Sequence, residues 1–275
     1  MAKLYSASQI LDRLRAEKES GRPLFIPNCG FGLSAKMQER GGADIICISS
    51  TSYWRMKGQG SLSALMPNSD INEIIFRLAP EIAANVQDTP LISLSGAFNP
   101  LLPHRDHLER LRALGVSGIN PFMINIYGAD TVAQMEAIGI GWQREVDMVR
   151  TAAEMDMFAL AYAFSPEEAR VLAAAGAHAV ASHFGSTIGG QTGALSSLTL
   201  EEATAGSQAI FEAARKENSD VLLFAHGGPI EGPAEVEHVL DHTDADGLIG
   251  GSAAERVPIE RSILAATREY KSIPH

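Results

Sequence analysis

The chain has 275 residues and a formal net charge of −11, with an isoelectric point near 5.2. Such an acidic chain repels nucleic acid and anionic membrane surfaces, so we expect neither as a partner. Hydrophobic residues make up 45% and charged residues 20%, which excludes a disordered chain. We find no signal peptide and no apolar run of the about 18 residues typical of a membrane helix, and we expect a cytoplasmic protein.

Cysteine usage agrees with that location. Cys29 and Cys47 are the only two cysteines, and two cysteines give no disulfide framework. Neither has a histidine or carboxylate partner close in sequence, so we expect no structural zinc site.

In chain order, the first predicted element is a helix over residues 6–19, with Ile10, Leu11 and Leu14 on one face. Short apolar runs then alternate with amphipathic stretches, which is the pattern of parallel strands joined by crossover helices. The predicted strands are Leu24–Pro27, Asp44–Ser49, Pro90–Ser95, Gly118–Phe122, Met157–Tyr162, His178–Ser182, Val221–Ala225 and Gly247–Gly250.

A helical stretch follows each of these strands. The predicted helices are Ser34–Arg40, Ile71–Ala84, His104–Leu114, Val132–Met155 with a break at Gly139–Gly141, Pro166–Ala175, Leu200–Glu217, Pro233–Asp241 and Ala254–Tyr270. Eight strand–helix units predict an α/β fold, the (β/α)8 TIM barrel. We expect a single domain over residues 1–275, with the barrel proper at about 22–273 and the first helix capping its bottom.

A dinucleotide-binding sheet is the alternative to a barrel. Gly30-Phe31-Gly32 follows the first strand, but Ala35 stands where that fingerprint has its third glycine. We therefore expect no nucleotide or flavin cofactor.

Two loops are too long to serve only as connections. Residues 50–70 follow the second strand and residues 183–199 follow the sixth. Long loops in compact domains are usually functional or disordered, and the aromatic Tyr53 and Trp54 argue against disorder in the first. We predict that this loop is a lid, with Arg55 as a cation.

Substrate residues of a barrel lie at the carboxyl ends of its strands. The polar residues at those ends are Asn28, Ser49, Ser52, Ser95, Asn120, Tyr162, His183, His226 and Ser252, and the loops add Arg55, Asp70, Thr187, Glu255 and Arg256. The set lacks the facing carboxylate pair of a glycosidase and the strand lysine of a Schiff-base aldolase, so both classes are disfavoured.

His226 and His183 are the acid/base candidates, because imidazole titrates near neutral pH. The alternative for each is a packed histidine that is hydrogen-bonded to backbone. Arg55 is a candidate clamp for a carboxylate or phosphate, although a loop arginine can also be a solvated surface group.

Glycine pairs at the strand ends would let the backbone approach an anion closely, although tight turns alone would also explain them. The candidates are Gly30, Gly32, Gly227, Gly228 and Gly251. A divalent metal such as Mg²⁺ would need carboxylates in octahedral array. Only Asp70, Glu136 and Glu145 are available for it, and the default interpretation of the two glutamates is a solvated helix face or an interhelical pair.

Several short sequence motifs occur together in this chain, and their combination resembles that of a known family. They are Gly30-x-Gly32-Leu33-Ser34-Ala35-Lys36, Arg55-Met56-x-Gly58-x-Gly60-Ser61-Leu62, Asp70-x-Asn72, Gly139-x-Gly141, Glu145-Val146, His183-x-Gly185, His226-Gly227-Gly228-Pro229 and Glu255-Arg256-x-Pro258-x-Glu260. From about Pro27 to Tyr270 the chain resembles the phosphoenolpyruvate hydrolase-like TIM-barrel family. That family has also been described as a signal-transduction barrel and is related to the phosphoenolpyruvate mutase/isocitrate lyase superfamily.

The resemblance implies an oligomeric barrel that acts on a small oxo acid or enol derivative. The sequence departs from the superfamily in lacking its Lys-Lys-Cys-Gly-His-type catalytic loop and its recognisable metal-binding acidic residues. It departs from the closer family at Asn120-Pro121-Phe122-Met123 and at Tyr53-Trp54 before Arg55, and both differences put the substrate in question.

Three functions are open. The first is a hydrolase or lyase that breaks a carbon–carbon bond in a small anionic oxo acid or enol-type substrate, with His226, His183, Arg55 and Glu255 as its catalytic residues. The second is a regulatory barrel that binds a ligand without turnover. The third is a hydrolase of phosphoenolpyruvate-like phosphoesters. We also expect a homo-oligomer, with no nucleic acid or membrane partner.

Overall fold

The structure is a computed structural model that describes residues 2–191, 193 and 198–274. Eight parallel strands close into one barrel in which each strand pairs with the next and β1 pairs with β8. The strands are β1 Leu24–Cys29, β2 Ile46–Ile48, β3 Leu91–Ser95, β4 Gly118–Pro121, β5 Phe158–Ala163, β6 Ala179–His183, β7 Leu222–His226 and β8 Gly247–Gly250. The predicted (β/α)8 barrel is therefore confirmed.

Helices alternate with these strands. They are α1 Ala7–Glu19, α2 Gly32–Arg40, α3 Ser50–Arg55, α4 Ile71–Ala83, α5 His104–Ala113, α6 Ala129–Ala137, α7 Gln143–Glu154, α8 Pro166–Ala174, α9 Leu200–Glu217, α10 Pro233–His242 and α11 Arg256–Lys271. Three short 3-10 helices are η1 Ser61–Leu65, η2 Ile124–Tyr127 and η3 Ser252–Ala254. The long loop after β2 thus contains α3 and η1, which the sequence did not predict as helices.

The break predicted within the helical stretch Val132–Met155 separates α6 from α7. Gly139 has a φ of +76°, and a Cβ on Gly141 would lie 2.5 Å from the Cα of Glu136. Only glycine tolerates that approach, so the chain turns here.

α1 lies at the amino ends of the strands, where the sequence predicts a cap. Ser6 begins the helix with a capping box to Gln9. The N–H of Ala7 donates to the carbonyl of Asp156, just before β5, at 3.2 Å. Ile10 and Leu14 are buried beneath the barrel.

The barrel interior changes character along its axis. Residues near the amino ends, such as Leu24 and Leu160, are apolar, whereas Asn28, Tyr162 and His226 lie near the carboxyl ends of their strands. Because all strands run in one direction, these polar side chains gather at one end of the barrel.

The last helix differs from the others. Arg256 and Val257 are buried at its start, but every residue from Arg261 to Pro274 is exposed. α11 therefore leaves the barrel surface after its first turn.

Replacing Ile10 by alanine should lower the free energy of unfolding by about 2–4 kcal/mol, because it leaves a cavity under the barrel. Chemical denaturation monitored by circular dichroism measures the change. Arg15→Ala, at an exposed position of the same helix, is the control and should change stability by no more than about 0.5 kcal/mol. Equal stability of both variants would show that α1 does not seal the core.

Candidate functional site

A pocket opens at the carboxyl ends of the strands, and its space, including the opening to solvent, measures about 540 Å³. Eight of the predicted site residues line it: Asn28, Arg55, Tyr162, His183, Thr187, His226, Gly251 and Ser252. The remaining lining residues were not among the predicted site residues, although Ser61, Leu62, Phe122, Met123 and Gly185 lie in the motifs compared with the family. They are Thr51, Ser61, Leu62, Leu65, Leu94, Phe122, Met123, Ile126, Gly185 and Ser186.

Three rings meet inside this pocket. His183 and His226 are register partners on β6 and β7, and their ring centroids lie 4.9 Å apart. The Tyr162 ring lies 5.0 Å from His183 and 4.8 Å from His226. Phe164 stacks on the other side of His183 at 4.5 Å. Packing therefore fixes the positions of both imidazoles.

Backbone contacts assign opposite tautomers to the two histidines. Nδ1 of His226 lies 2.8 Å from the carbonyl oxygen of Ile249, so this nitrogen carries the proton and donates. Nδ1 of His183 accepts from the N–H of Gly185 at 3.1 Å, so its proton lies on Nε2. Among the described residues no hydrogen-bond partner is found for Nε2 of His226, an acceptor, or for Nε2–H of His183, a donor.

Burial keeps both rings neutral at physiological pH. It lowers the pKa of His226 to about 4, the carbonyl of Ile249 opposes this effect, and the Arg55 cation adds to it. Burial, with a smaller contribution from His226, also holds the pKa of His183 well below its ordinary value. Removal from water penalises the charged imidazolium, so burial lowers the pKa of each of the two histidines.

Arg55 is the cation of the pocket. It ends α3 and is only 6% exposed. Its two Nη atoms donate to Ser61 and Ser52, whereas its Nε has no acceptor among the described residues. Burial lowers the pKa of Arg55 to about 10, and the nearby Glu255 carboxylate opposes this shift. The guanidinium therefore stays charged at neutral pH.

Ser49 and Ser52 act through Arg55 and do not line the pocket. The Ser49 hydroxyl caps α3 by accepting from the N–H of Ser52, and the Ser52 hydroxyl accepts from the guanidinium. Both serines therefore position the arginine.

The floor of the site holds polar atoms without partners. The side-chain oxygen of Asn28, both amide atoms of Asn120 and the Tyr162 hydroxyl are buried and make no hydrogen bond within the described part of the chain. Burial raises the pKa of Tyr162 above its ordinary range. The amides of Asn120 and Asn28 lie close enough to the hydroxyl to oppose that rise, but neither forms a hydrogen bond of ordinary geometry with it. Buried polar groups normally find partners, so this floor fits a polar ligand or water.

Glu255 and Arg256 lie behind the pocket wall. Oε1 of Glu255 accepts from the N–H of Gly30 at 2.9 Å, and its Oε2 has no partner among the described residues. Burial raises its pKa and the Arg55 cation opposes that shift. Arg256 pairs with Glu260 at 3.0 Å and donates to the carbonyl of Gly189 at 2.8 Å.

The remaining predicted residues lie outside the pocket lining. The N–H of Gly32 donates to Glu81, and the Ser95 hydroxyl bonds with Ser93. Gly227 and Gly228 adopt φ values of +81° and +56°, and the N–H of Gly228 donates to the carbonyl of Gly185. These two glycines therefore hold the loop after β6 in place.

The three carboxylates considered for Mg²⁺ are not brought together. Asp70 caps α4 through the N–H of Glu73, and Glu136 accepts from Gln143. Glu145 is buried and accepts from the N–H of Ile124 at 2.7 Å. Within residues 2–191, 193 and 198–274, no three His, Cys, Asp or Glu form a cluster suited to a metal. This donor set does not fit an Mg²⁺ site, which needs several oxygen ligands around one point.

A buried and a half-buried carboxyl group, those of Glu145 and Glu168, support the pocket from behind. Glu145 binds the loop after β4 at Ile124, and Glu168 accepts from the N–H of Phe164 after β5 at 2.7 Å. Burial raises the pKa of both groups, most strongly for Glu145. From the sequence, Glu145 is predicted only as a metal candidate, because its contact with Ile124 joins residues 21 positions apart. Glu168 is not predicted, although the contact of this residue with Phe164 spans only four positions.

The fold and the pocket define a class: a (β/α)8 barrel with a polar site at the carboxyl ends of its strands. The sequence model of the phosphoenolpyruvate hydrolase-like family matches residues 9–273. The chain belongs to this family.

Relatives and solved structures extend the comparison. The ToMV susceptible protein tm-1(GCR26) of Solanum lycopersicum is 35% identical over 266 residues, which are 96% of this chain and 35% of that protein. This chain thus spans about a third of the length of that relative.

A helix that spans a membrane must be both long and apolar. Within the described residues, no helix meets both requirements.

Two solved structures share the architecture. Phosphonopyruvate hydrolase in complex with oxalate and Mg²⁺ has a TM-score of 0.61 at 16% identity, covering 97% of this chain and 92% of its own. The 2,3-dimethylmalate lyase, a phosphoenolpyruvate mutase/isocitrate lyase superfamily member, has a TM-score of 0.60 at 16% identity, covering 98% and 88%. Likeness at these identities shows the fold alone.

Acidification should destabilise the protein through His226. The unfolded histidine binds a proton below about pH 6.5 and the folded one only near pH 4, so stability present above pH 6.5 is lost as the pH falls towards 4. For this group the loss at pH 4.5 is about 2–3 kcal/mol.

Urea unfolding at pH 7.0 and pH 4.5 measures the effect as a difference between variants. His226→Gln should lose less stability than the parent chain over this interval, and His242→Gln, at an exposed position, is the control. An identical pH dependence of His226→Gln and the parent would contradict the neutral, buried state of this ring.

Proposed function

We propose that this protein is an enzyme that cleaves a carbon–carbon bond in a small anionic oxo acid, as a hydrolase or lyase. The observation that carries the proposal is the pair of neutral histidines in opposite tautomers, beside a buried arginine and in one pocket. Family membership and the architecture shared with phosphonopyruvate hydrolase and 2,3-dimethylmalate lyase support it.

Arg55 binds the carboxylate of the substrate. Its guanidinium is buried and charged, and its Nε has no acceptor in the part of the chain that the structure describes. An anion in the pocket would therefore offset the cost of its desolvation. The hydroxyls of Thr51, Ser61 and Thr187 line the same pocket and can donate to that anion.

His226 acts first as the base and then as the acid, and His183 acts as a hydrogen-bond donor. In hydrolysis, Nε2 of His226 takes a proton from water, the hydroxide oxygen bonds to the carbonyl carbon, and the carbon–carbon bond breaks. Its electron pair remains on the departing carbon as an enolate, whose oxygen accepts a hydrogen bond from Nε2–H of His183. The proton that His226 took from water then passes to the enolate carbon, so both imidazoles end the step neutral. In a lyase reaction the same base takes the proton of a substrate hydroxyl instead.

Substrate binding prepares the base for this step. A negative charge near a histidine favours its protonated form, so an anionic substrate raises the pKa of His226 from its low value in the free protein. The Tyr162 hydroxyl lines the pocket and has no hydrogen-bond partner among the described residues, so it can donate to the developing enolate oxygen.

The test is turnover on a panel of oxaloacetate, 2,3-dimethylmalate, phosphonopyruvate and phosphoenolpyruvate. On whichever compound is cleaved, His226→Gln should lower kcat by about 10²–10⁴-fold. Arg55→Met should act mainly by raising KM. His242→Gln is the matched control, and circular dichroism checks the fold of every variant. Full activity of His226→Gln would remove this residue from the mechanism.

A ligand-binding barrel without turnover is the second candidate. One observation in its favour is that Asp70, Glu136 and Glu145 each accept a backbone hydrogen bond and do not meet at a metal site. A second is that the name of one relative describes susceptibility to ToMV and no reaction. A rise in melting temperature with a panel compound and no product formed would support it. Phosphate release from phosphoenolpyruvate, with the oxo acids left intact, would instead support a phosphoester hydrolase.

A further inference from the structure

The pocket carries a single charge. Among its lining residues in the described part of the chain, Arg55 alone is charged at neutral pH, because both histidines are neutral. The carboxylates Asp70, Glu136 and Glu145, which could add positive charge by holding a metal ion, are engaged at separate places. A substrate with two carboxylates would therefore bury one of them without a partner, which is strongly unfavourable.

One side of the same pocket is apolar. It is formed by side chains of β3, of the segment after β4, and of the 3-10 helices η1 and η2. We call these residues the apolar wall: Leu62, Leu65, Leu94, Phe122, Met123 and Ile126. Leu94, Phe122 and Met123 are buried, whereas Leu62 is 60% exposed. An apolar ligand group would remove that exposed surface from water, which favours binding.

Hydrogen bonds hold the apolar wall in place. The Tyr127 hydroxyl donates to the carbonyl of Leu65 at 3.1 Å and so joins η2 to η1. The N–H of Ile124 donates to the buried carboxyl group of Glu145 at 2.7 Å. Ile126 lies between these two anchored positions of η2. The wall is therefore organised before a ligand arrives, which lowers the entropic cost of binding.

The apolar wall and the acid/base groups lie on different sides of the barrel. Because the eight strands close in sequence order, β3 lies across the barrel from β7, which carries His226. Arg55 is close enough to His226 to lower its pKa. A Cβ on Gly251 would lie 3.3 Å from Cε1 of His226, so this glycine leaves room beside the base. A ligand that fills the pocket thus meets Arg55 and His226 at one side and the wall at the other.

We propose that the substrate is an oxo acid with a single carboxylate and an apolar group at its far end. The inference rests on the proposed function and narrows it. Arg55 binds the carboxylate, and the apolar wall receives the apolar group. Cleavage must leave an enolate, so the departing carbon needs a carbonyl beside it. A 2,4-dioxo acid, in which an apolar acyl group is attached to pyruvate, meets these requirements.

The bond that breaks joins the acyl carbonyl carbon to the methylene carbon of the pyruvate part. His226 takes a proton from water, and the hydroxide adds to the acyl carbonyl carbon. The electron pair of the broken bond forms the enolate of pyruvate, whose methylene carbon takes that proton back from His226. The products are pyruvate and a carboxylic acid, which ionises and releases one proton. Water is the only co-reactant.

Two matched dioxo acids test this substrate class. Butanoylpyruvate ends in a methyl group where succinylpyruvate has a carboxylate, and the two are otherwise identical. Pyruvate release, followed with lactate dehydrogenase and NADH, should give a kcat/KM at least about 100-fold higher for butanoylpyruvate. Equal values, or a higher value for succinylpyruvate, would overturn the substrate class and leave the proposed function standing, because a carbon–carbon bond would still be hydrolysed.

A cation in the apolar wall should change the preference. Leu65→Arg is expected to raise kcat/KM for succinylpyruvate and to lower it for butanoylpyruvate, each by about 10-fold or more. Leu62→Arg repeats the test at a more exposed position, should Leu65→Arg fail to fold. Leu101→Arg, at an 89% exposed residue after β3, is the matched control and should keep the preference of the parent chain. An unchanged preference in both folded wall variants would show that the wall does not contact the far end of the substrate.

Binding separates the substrate class from the reaction. 2-Oxoheptanoate and 2-oxoheptanedioate carry the same two kinds of end but lack the second carbonyl, so they cannot be cleaved. Isothermal titration calorimetry should show at least about 100-fold tighter binding of 2-oxoheptanoate. If that preference is found and neither dioxo acid is hydrolysed, the ligand class stands and the proposed reaction is wrong. A preference for 2-oxoheptanedioate, or no binding of either acid together with no hydrolysis, would overturn the inference.

Discussion

The hydrogen bond from Nδ1 of His226 to the carbonyl of Ile249 fixes the chemistry that this barrel can offer. It joins the end of β7 to β8, next to the point where the barrel closes, and it assigns the proton of the imidazole. The acceptor nitrogen then belongs to the pocket. His183 receives the opposite assignment from Gly185, so two residues of one type serve two different purposes.

Arg55 adds a second constraint. A buried guanidinium that is not fully bonded lowers the stability of the empty protein, and α3 with its serines keeps the group in that position. Binding sites commonly contain such groups, because the free energy lost in folding is recovered when a complementary anion arrives. The site is thus better suited to an occupied state than to an empty one.

Much of this arrangement could be predicted from the sequence. Strand direction alone brings Asn28, Tyr162, His183 and His226 together, because polar residues that end parallel strands share one edge of the barrel. The contact of Glu255 with Gly30 could not be predicted, since it joins residues 225 positions apart. Periodicity predicted that α11 is amphipathic but not that its residues from Arg261 onward are exposed, since a helical pattern carries no information about what packs against it.

The anchoring of two loops by Glu145 and Glu168 has a consequence for how such a barrel diversifies. Both carboxyl groups hold backbone N–H groups, so the side chains in front of them, such as Phe122 and Met123, can change without moving the main chain. Those side chains form an apolar wall opposite the polar residues of β6 and β7. The side chains that would set the shape of a ligand and those that could move a proton therefore lie on different strands. The two groups can change independently among relatives.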